Sequence, residues 1–407
     1  MNPEDAVGTH PHRMNFGFPS VPRIETLSLS SMTTPHSLPS LATTVIASLT
    51  LLSGVNAHQS TPASSPAGPA PLALPVLLET KGPVSAPKAM MATPGLQTSG
   101  QGFWTFVAVK DVLPLPIETQ PFIKGAHGTL IVDSPKDTVY WGLENIGFVG
   151  FSNRLSSSWV VRGGQELRRG NLHGADIFPR KGQPPLIAAA DNNEGEVYLT
   201  DTTFQKVTTL GMPNLQPYAD KKGYAPTDVA FSSNSELWVT DGYGKAYFMP
   251  TTVDPLAFTG KYYGGKAMSQ TPHGITYSPS DKSLLISARP EAQVKRWSPV
   301  KQQFLEVLGL PAGSIVCDVD LWGDYALAAC LDSAAGKPGA LYIVNLKKRA
   351  IVSVMKPKEE LGYDFAQHMH DACWYVRGKG ADQEVFVLFT AWNPGGVGAL
   401  KLVNLKK

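Results

Sequence analysis

The chain has little charge, few cysteines and no long apolar run. Only 17% of its 407 residues are charged, and the formal net charge is +2 without a basic cluster. This balance excludes a disordered chain and gives no support to a nucleic-acid partner. Three cysteines, an odd number, exclude a fully paired disulfide framework. No apolar run is long enough for a protein with several membrane spans, and P-loop, GxGxxG, HExxH and nucleophile-elbow motifs are absent.

Turn-forming residues and apolar residues are abundant. The chain contains 38 glycines and 34 prolines, and 43% of its residues are hydrophobic. The apolar fraction is sufficient for a large core. The frequency of glycine and proline is typical of a protein built from short strands joined by many turns.

The first hundred residues contain a predicted export signal and a linker. Residues 41–57 are uncharged, mostly apolar or small, and end in Val55-Asn56-Ala57, which fits a signal-peptidase site. We predict a signal peptide with an extended n-region at 1–57 and a secreted or periplasmic protein with no membrane span after cleavage. A signal anchor or a buried strand is the alternative. Residues 58–101 hold eight prolines among small residues, which predicts a flexible linker.

From residue 102 the sequence repeats. Segments with strand-like patterns recur in groups of four, with a period of about 45–55 residues, which is the size of one propeller blade. Six periods fit into 102–407, but the last is one strand short. The segment 103–109 can supply that strand and so leave no long open edge. We therefore predict an all-β, six-bladed propeller of four-stranded blades, closed by an N-terminal strand that pairs with the last blade.

The start of each innermost strand is rich in histidine. Innermost strands line the central channel, so equivalent positions face one another across it. A ring of imidazoles is a ready-made metal site, although a single histidine there is more often bonded to backbone. Cys317 is either a thiolate ligand or a small buried residue, and Cys330 and Cys373 fit the core. The predicted ring is His127, His173, Thr227, His273, Cys317 and His370.

The second strand of each blade returns to the same mouth of the channel. In blades 1 to 4 it ends at Glu144, Asp191, Tyr243 and Arg289. These side chains are expected beside the histidines, or else as ordinary polar surface. A metal, a phenol and a guanidinium at one mouth form an anion-binding or acid–base site.

Some of these residues carry a family resemblance. The string PTDVA at 226–230, followed by LWVTDGYG at 237–244, resembles the third-blade signature of peptidyl-α-hydroxyglycine α-amidating lyase. That family is a six-bladed propeller related to the NHL-repeat proteins. The resemblance extends over about 120–407. Three further segments are similar in order: LHG at 172–174, PHG at 272–274 with Arg289, and MHD at 369–371.

The resemblance implies a set of roles. His173, His273 and His370 would bind a catalytic zinc ion. Tyr243 would act as the base near the metal, and Arg289 would bind and polarise the substrate. Asp371 would join backbone carbonyls in a structural calcium site. The implied reaction cleaves the C–N bond of a peptidyl hydroxyglycine and gives a peptide amide and glyoxylate.

The sequence departs from the family at several positions. The family has an arginine in its first blade, where this chain reads WGLEN at 141–145 and places Glu144. The family's cysteine after Asp-Gly-Tyr is Gly244 here, so that disulfide is absent. His127 is an additional candidate ligand that would close the site. His368 faces the same side of its strand as His370 and is a competing candidate.

Three hypotheses follow from these residues. The first is an exported metal-dependent lyase, or an allied hydrolytic enzyme, with a small-molecule or peptide substrate. The second is a non-catalytic NHL-type propeller that binds a protein or glycan partner. The third, a lactonase-like calcium propeller, ranks last because its metal prefers carboxylates to imidazoles. Zinc is the expected metal, although imidazole also suits iron and copper. We expect a monomer and no nucleic-acid partner.

Overall fold

The computed structural model describes residues 68–83, 95–126 and 128–403. The predicted signal peptide and His127 lie outside these residues. Six sheets follow one another along the chain, and in each sheet antiparallel strands pair from the innermost strand outward. The innermost strands of neighbouring blades contact one another in a closed ring, in which blade 6 meets blade 1. The predicted six-bladed propeller is confirmed.

The first three blades follow the predicted repeat closely. Blade 3 differs because its long third strand pairs with two short outer strands instead of one. The strands of blade 1 are Leu130–Asp133, Thr138–Leu143, Gly147–Ser152 and Ser157–Val160. Those of blade 2 are Leu172–Arg180, Gln183–Asp191, Glu196–Asp201 and Thr208–Leu210. Those of blade 3 are Asp228–Phe231, Glu236–Thr240, Tyr247–Val253, Leu256–Phe258 and Tyr263–Gly264.

The last three blades complete the ring. The strands of blade 4 are Pro272–Ser278, Ser283–Ala288, Gln293–Ser298 and Gln303–Gly309. Those of blade 5 are Val316–Trp322, Tyr325–Cys330, Leu341–Asn345 and Ala350–Met355. Those of blade 6 are His368–Arg377, Glu384–Trp392, Gly396–Leu402 and, from the N-terminal side, Trp104–Ala108. Leu400 pairs with Ala108, which confirms the predicted closure. Ser99–Gln101 extends this sheet by pairing with Trp104–Ala108.

Helices are short and lie in the connections. One α-helix spans Pro357–Leu361. No helix among the described residues is long and apolar enough to cross a lipid bilayer. The 3-10 helices are Ile117–Phe122, Ser134–Lys136, Gln165–Arg168, Gln216–Tyr218 and Gly380–Asp382.

The core is divided among the boundaries between blades. Each of the six boundaries has its own cluster of buried apolar side chains contributed by the two neighbouring sheets. Trp104, Trp141 and Trp297 are fully buried in these clusters. Cys317, Cys330 and Cys373 are free and buried. Burial of apolar surface therefore stabilises blade-to-blade packing rather than a single central core.

Side-chain acceptors join the innermost strands of neighbouring blades. At five boundaries a threonine or aspartate oxygen accepts a hydrogen bond from a backbone N–H of the adjacent blade. These bonds satisfy buried N–H groups that have no strand partner. The pairs are Ala175 N to Thr129 Oγ1 (3.1 Å), Phe231 N to Asp176 (2.7 Å), Ile275 N to Asp228 (2.7 Å), Trp374 N to Asp320 (2.7 Å) and Leu130 N to Asp371 (2.8 Å).

Part of the predicted linker belongs to the propeller. Leu72–Ala73 pairs in parallel with the outer strand of blade 4, and Val76 forms a bridge with Ile351 of blade 5. The described residues 68–83, which we call the strap, therefore follow the outer rim of two blades. Apolar residues alternate with the prolines here, and Leu74 packs against the core cluster between blades 4 and 5. This packing fixes the strap on the propeller, although the proline content of residues 58–101 predicted a flexible linker.

A buried carboxylate fixes the strap. Glu79 is only 4% exposed. Its oxygens accept hydrogen bonds from Trp104 Nε1 (2.9 Å), Asn345 Nδ2 (2.8 Å) and Lys348 Nζ (2.7 Å). Burial raises the pKa of the Glu79 carboxyl, but the hydrogen bonds outweigh burial and hold this pKa below its usual value. Glu79 therefore joins the strap to blade 5 and to the closing strand of blade 6.

Replacing Glu79 by glutamine should destabilise the protein by about 1–3 kcal/mol at pH 7, because Glu79→Gln removes a charge-assisted bond and leaves a buried donor without its acceptor. The folded pKa lies below the unfolded one. The contribution is therefore fully present above the unfolded pKa, about 4.3, and is lost as the pH falls through the folded pKa. Urea unfolding at several pH values measures this loss. The exposed Glu118→Gln is the control, and an equal effect of both substitutions would contradict the role of Glu79.

Candidate metal centre

Three histidines from alternate blades meet in the channel. His173, His273 and His370 belong to the innermost strands of blades 2, 4 and 6 and are 2–3% exposed. One ring nitrogen from each lies within 4.8 Å of those of the other two. Alternate blades of a six-membered ring place side chains evenly around its axis. The predicted convergence of these three histidines is therefore confirmed, and they form a group that could hold a metal ion.

Local irregularities aim these side chains. The pairing of the innermost strand shifts register at His173, at His273 and at His370. A β-bulge of this kind redirects a side chain out of the regular alternation of the strand. Gly174 and Gly274 follow two of the histidines, and a Cβ there would lie 2.3 Å from Asp228 and 2.6 Å from the Cys317 carbonyl. The His-Gly pairs are therefore needed because the next blade approaches closely.

Backbone carbonyls of the intervening blades orient two of the imidazoles. His173 Nδ1 lies 2.8 Å from the Thr227 carbonyl, and His273 Nδ1 lies 2.9 Å from the Cys317 carbonyl. A carbonyl can only accept, so each Nδ1 carries the proton and donates it. In the neutral ring, each Nε2 then keeps its lone pair, which is the arrangement of metal-ligating histidines.

A phenol and a guanidinium cover the histidines on the mouth side. Tyr243 Oη lies 2.9 Å from His273 Nε2 and 3.3 Å from His173 Nε2. Arg289 Nη1 donates to the same oxygen at 2.8 Å. Desolvation raises the pKa of Tyr243, and the positive charge of Arg289 opposes that shift. Tyr243 thus lies against two of the predicted ligands, and Arg289 lies against Tyr243.

The turn that carries Tyr243 is held by a buried carboxylate. Asp241 is fully buried and accepts hydrogen bonds from Ala225 N (2.7 Å), Lys245 N (2.6 Å) and Tyr218 Oη (2.6 Å). The backbone N–H of Gly244 also bonds to the Asp241 carbonyl. Asp241 therefore determines where the tyrosine ring enters the mouth.

On the other side of the histidines the channel is acidic. A cavity of about 230 Å³ extends from the three histidines between the innermost strands. Burial raises the pKa of Asp176 to about 6 and that of Asp320 to about 7. The cavity is also lined by Asp228, Asp318 and Asp371. The three histidines therefore lie between the channel mouth, which contains the Arg289 guanidinium, and a part of the channel that is lined by carboxyl groups.

His368 does not join the metal-capable group. Its Nδ1 lies 3.0 Å from Asp332 Oδ1, and its ring lies 5.8 Å from that of Trp392. The register shift after Met369 gives His368 and His370 different orientations. The regular alternation of side chains along a strand, which made His368 a competing candidate, therefore does not apply here. Asp332 is not among the site residues predicted from the sequence. This residue follows the second strand of blade 5, at the kind of position that was singled out only in blades 1 to 4.

The remaining candidates have other contacts. Asp191 is fully buried and accepts backbone N–H groups of its own turn, while Glu144 accepts a bond from Asn193. Neither belongs to the metal-capable group. Asp371 bonds to Leu130 N, and a structural calcium ion there stays a prediction. His127 lies outside the described residues.

Comparisons with known proteins do not assign the chain to a family. No family model matches the chain, and no curated protein matches it. The crystal structure of Sqt1 from Saccharomyces cerevisiae is similar, with a TM-score of 0.45 and 9% identity. This similarity covers 68% of this chain and 72% of that chain. It carries no argument about function, so the resemblance to amidating lyases stays a prediction.

The three histidines should bind about one divalent ion per chain. The double variant His173→Ala/His273→Ala should lose it, because one remaining imidazole is a weak ligand. Metal content by mass spectrometry and zinc titration measure this difference. A ligand at 100 times its Kd adds about 2.7 kcal/mol to stability, so wild-type thermal stability should also depend on zinc. His368→Ala is the matched control and should keep the ion. If His368→Ala lost the ion while the double variant kept it, the assignment of the ligands would be wrong.

Proposed function

We propose that the protein is a metal-dependent carbon–nitrogen lyase that acts on a small α-hydroxyglycine-type substrate at the channel mouth. The supporting observation is that Tyr243 Oη lies against the inward nitrogens of two buried histidines and accepts a hydrogen bond from Arg289 Nη1. A hydroxyl-bearing substrate would meet metal ligands, a proton acceptor and a cation within one small space. Convergence of this kind is the geometric mark of an active site rather than of ordinary polar surface.

The donor set fits a divalent transition metal. Three imidazole nitrogens are typical of zinc sites, here with two of the rings oriented by backbone carbonyls, and the same ligands suit iron or copper. We propose zinc. When bound, it would act as a Lewis acid on the substrate hydroxyl.

Tyr243 and Arg289 then supply the proton transfer and the binding of the substrate. In its ionised form, Tyr243 accepts the proton of the substrate hydroxyl on Oη, and the carbon–oxygen bond becomes a carbonyl as the carbon–nitrogen bond breaks. The electron pair of that bond leaves with the nitrogen, which takes the proton back from Tyr243. The products are an amide and glyoxylate, with no net gain or loss of protons. Arg289 lowers the cost of charge on the phenol oxygen and binds the substrate carboxylate.

The charges along the channel favour approach of the substrate from the mouth. An anionic substrate is attracted by Arg289 at the mouth, whereas burial disfavours any negative charge in the carboxyl-lined cavity on the far side of the histidines. We propose that substrate enters and glyoxylate leaves through the mouth. Export to the cell envelope, as indicated by residues 41–57, is part of this proposal, because peptide substrates would then be met outside the cell.

Tyr243→Phe should reduce turnover of a peptidyl α-hydroxyglycine about 10²–10⁴-fold, the usual range for loss of a general acid–base. Arg289→Ala should lower kcat/KM as well, since substrate carboxylate binding is lost. Glyoxylate release measures both effects, and circular dichroism and metal content show that fold and ion persist. Tyr262→Phe, which alters a tyrosine packed on Tyr247 away from the channel, is the control.

A metal-loaded wild-type protein that releases no glyoxylate from any hydroxyglycine peptide would contradict the lyase. That result would favour the alternative, a non-catalytic propeller that binds a protein or glycan. Turnover that survives both substitutions would contradict the roles assigned to Tyr243 and Arg289.

A further inference from the structure

We propose that two buried hydroxyl side chains, Ser287 and Thr227, are positioning residues of the metal centre, because they fix the backbone carbonyls that orient His273 and His173. Both act through other groups rather than as ligands. The proposal rests on the metal centre of the proposed function but not on its reaction. It adds to the three histidines an outer layer of hydrogen bonds contributed by blades 3 and 4.

Ser287 fixes the acceptor of one imidazole. It belongs to the second strand of blade 4 and is fully buried. Its hydroxyl donates a hydrogen bond of 2.6 Å to the Cys317 carbonyl, which also accepts the Nδ1 proton of His273 at 2.9 Å. A carbonyl oxygen has two lone pairs and can accept both bonds. Ser287 therefore holds in place the carbonyl that sets the direction of the His273 ring.

The same hydroxyl stabilises the bulge that aims His273. The pairing of the innermost strand shifts register between Pro272 and Ile275, and within this interval the backbone N–H of Gly274 donates to Ser287 Oγ at 2.6 Å. An N–H without an acceptor in a buried bulge would be costly. One hydroxyl thus supports both the strand that carries His273 and the carbonyl that receives its Nδ1 proton.

Thr227 has the corresponding role for His173. It is fully buried, and its carbonyl accepts the Nδ1 proton of His173 at 2.8 Å. Thr227 Oγ1 accepts a hydrogen bond of 3.2 Å from the backbone N–H of Gly242, the residue before Tyr243. Thr227 therefore joins the orientation of one histidine to the turn that brings Tyr243 to the mouth.

A second threonine links the two arrangements. Thr240 Oγ1 lies 3.1 Å from Thr227 Oγ1 and 3.4 Å from the His273 carbonyl. Thr227 Oγ1 also lies 3.4 Å from the Pro272 carbonyl. The hydroxyl groups of blade 3 therefore contact blade 4 at the residues that carry the next histidine. Hydrogen bonds linked in this way constrain the relative positions of His173 and His273.

Ser353 offers a matched comparison at the outer rim. It is also fully buried, accepts the backbone N–H of Gln101 at 3.2 Å and donates to the Trp104 carbonyl at 2.8 Å. None of these three residues lines the channel cavity. Ser287 and Ser353 thus make the same kinds of hydrogen bond, so a purely structural role predicts the same effect of removing either hydroxyl.

Zinc affinity, measured against a competing chelator, and the visible spectrum of the cobalt(II)-loaded protein provide the test. Ser287→Ala and Thr227→Val should each weaken zinc binding about 10–100-fold, the usual range for loss of an outer-shell partner. Both should alter the cobalt(II) ligand-field bands, which depend on the directions of the ligands. Thr227→Ser keeps the hydroxyl and should restore the affinity. Ser353→Ala should lose thermal stability but keep the wild-type affinity and spectrum.

Imidazole ¹⁵N shifts of the metal-free protein, at a pH where the rings are neutral, give a readout that needs no ion. His173 and His273 should be Nδ1–H tautomers in the wild-type protein, because a carbonyl faces each Nδ1. Ser287→Ala should raise the Nε2–H form of His273, and Thr227→Val should raise that of His173. The two substitutions lie in different blades, so if one variant does not fold, the other tests the proposal.

The outcomes separate the positioning roles from the proposed reaction. Wild-type zinc affinity and unchanged ¹⁵N shifts in the folded variants, or an equal loss of affinity in Ser353→Ala, would overturn the positioning roles and leave the metal centre intact. Weaker zinc binding by the variants of a protein that releases no glyoxylate would support the positioning roles and contradict the lyase. A wild-type protein that binds neither zinc nor cobalt(II) would overturn both proposals.

Discussion

The structure depends on hydrogen bonds that join the innermost strands of neighbouring blades. These strands have no strand pairing across the blade boundaries, so their inward backbone groups need other partners. Thr129, Asp176, Asp228, Asp320 and Asp371 supply acceptors at five boundaries. Each bond sets the distance between two blades at the axis. The positions of all channel-lining side chains, including the three histidines, follow from those distances.

The metal centre uses the six-fold arrangement in two ways. Blades 2, 4 and 6 supply the imidazoles, while blades 3 and 5 supply the Thr227 and Cys317 carbonyls that orient two of them. The centre is therefore shared by five blades, and none of them could form it alone. A register shift at each histidine converts a regular strand position into one that points at the axis.

Closure of the ring and order at the site are therefore linked. The N-terminal strand Trp104–Ala108 completes blade 6, and blade 6 carries His370. The strap, through Glu79, holds this closing strand against blade 5 by way of Trp104 and Asn345. Contacts at the outer rim thus help keep blade 6, and with it one of the three histidines, in place near the axis.

The periodic pattern by itself determined the number of blades, the strand that closes them and the ring position of the histidines, because every blade repeats the same alternation of short apolar strands and turns. It also placed Tyr243 and Arg289 at the mouth, since both follow the second strand of their blades. Only the tertiary structure decided that His368 bonds to Asp332 instead of joining His370, that residues 68–83 pack on the rim, and that Tyr243 Oη lies within 3.3 Å of two histidines. The physical reason is that bulges, blade-to-blade hydrogen bonds and ring closure set side-chain directions through contacts far apart in sequence, which local periodicity does not encode.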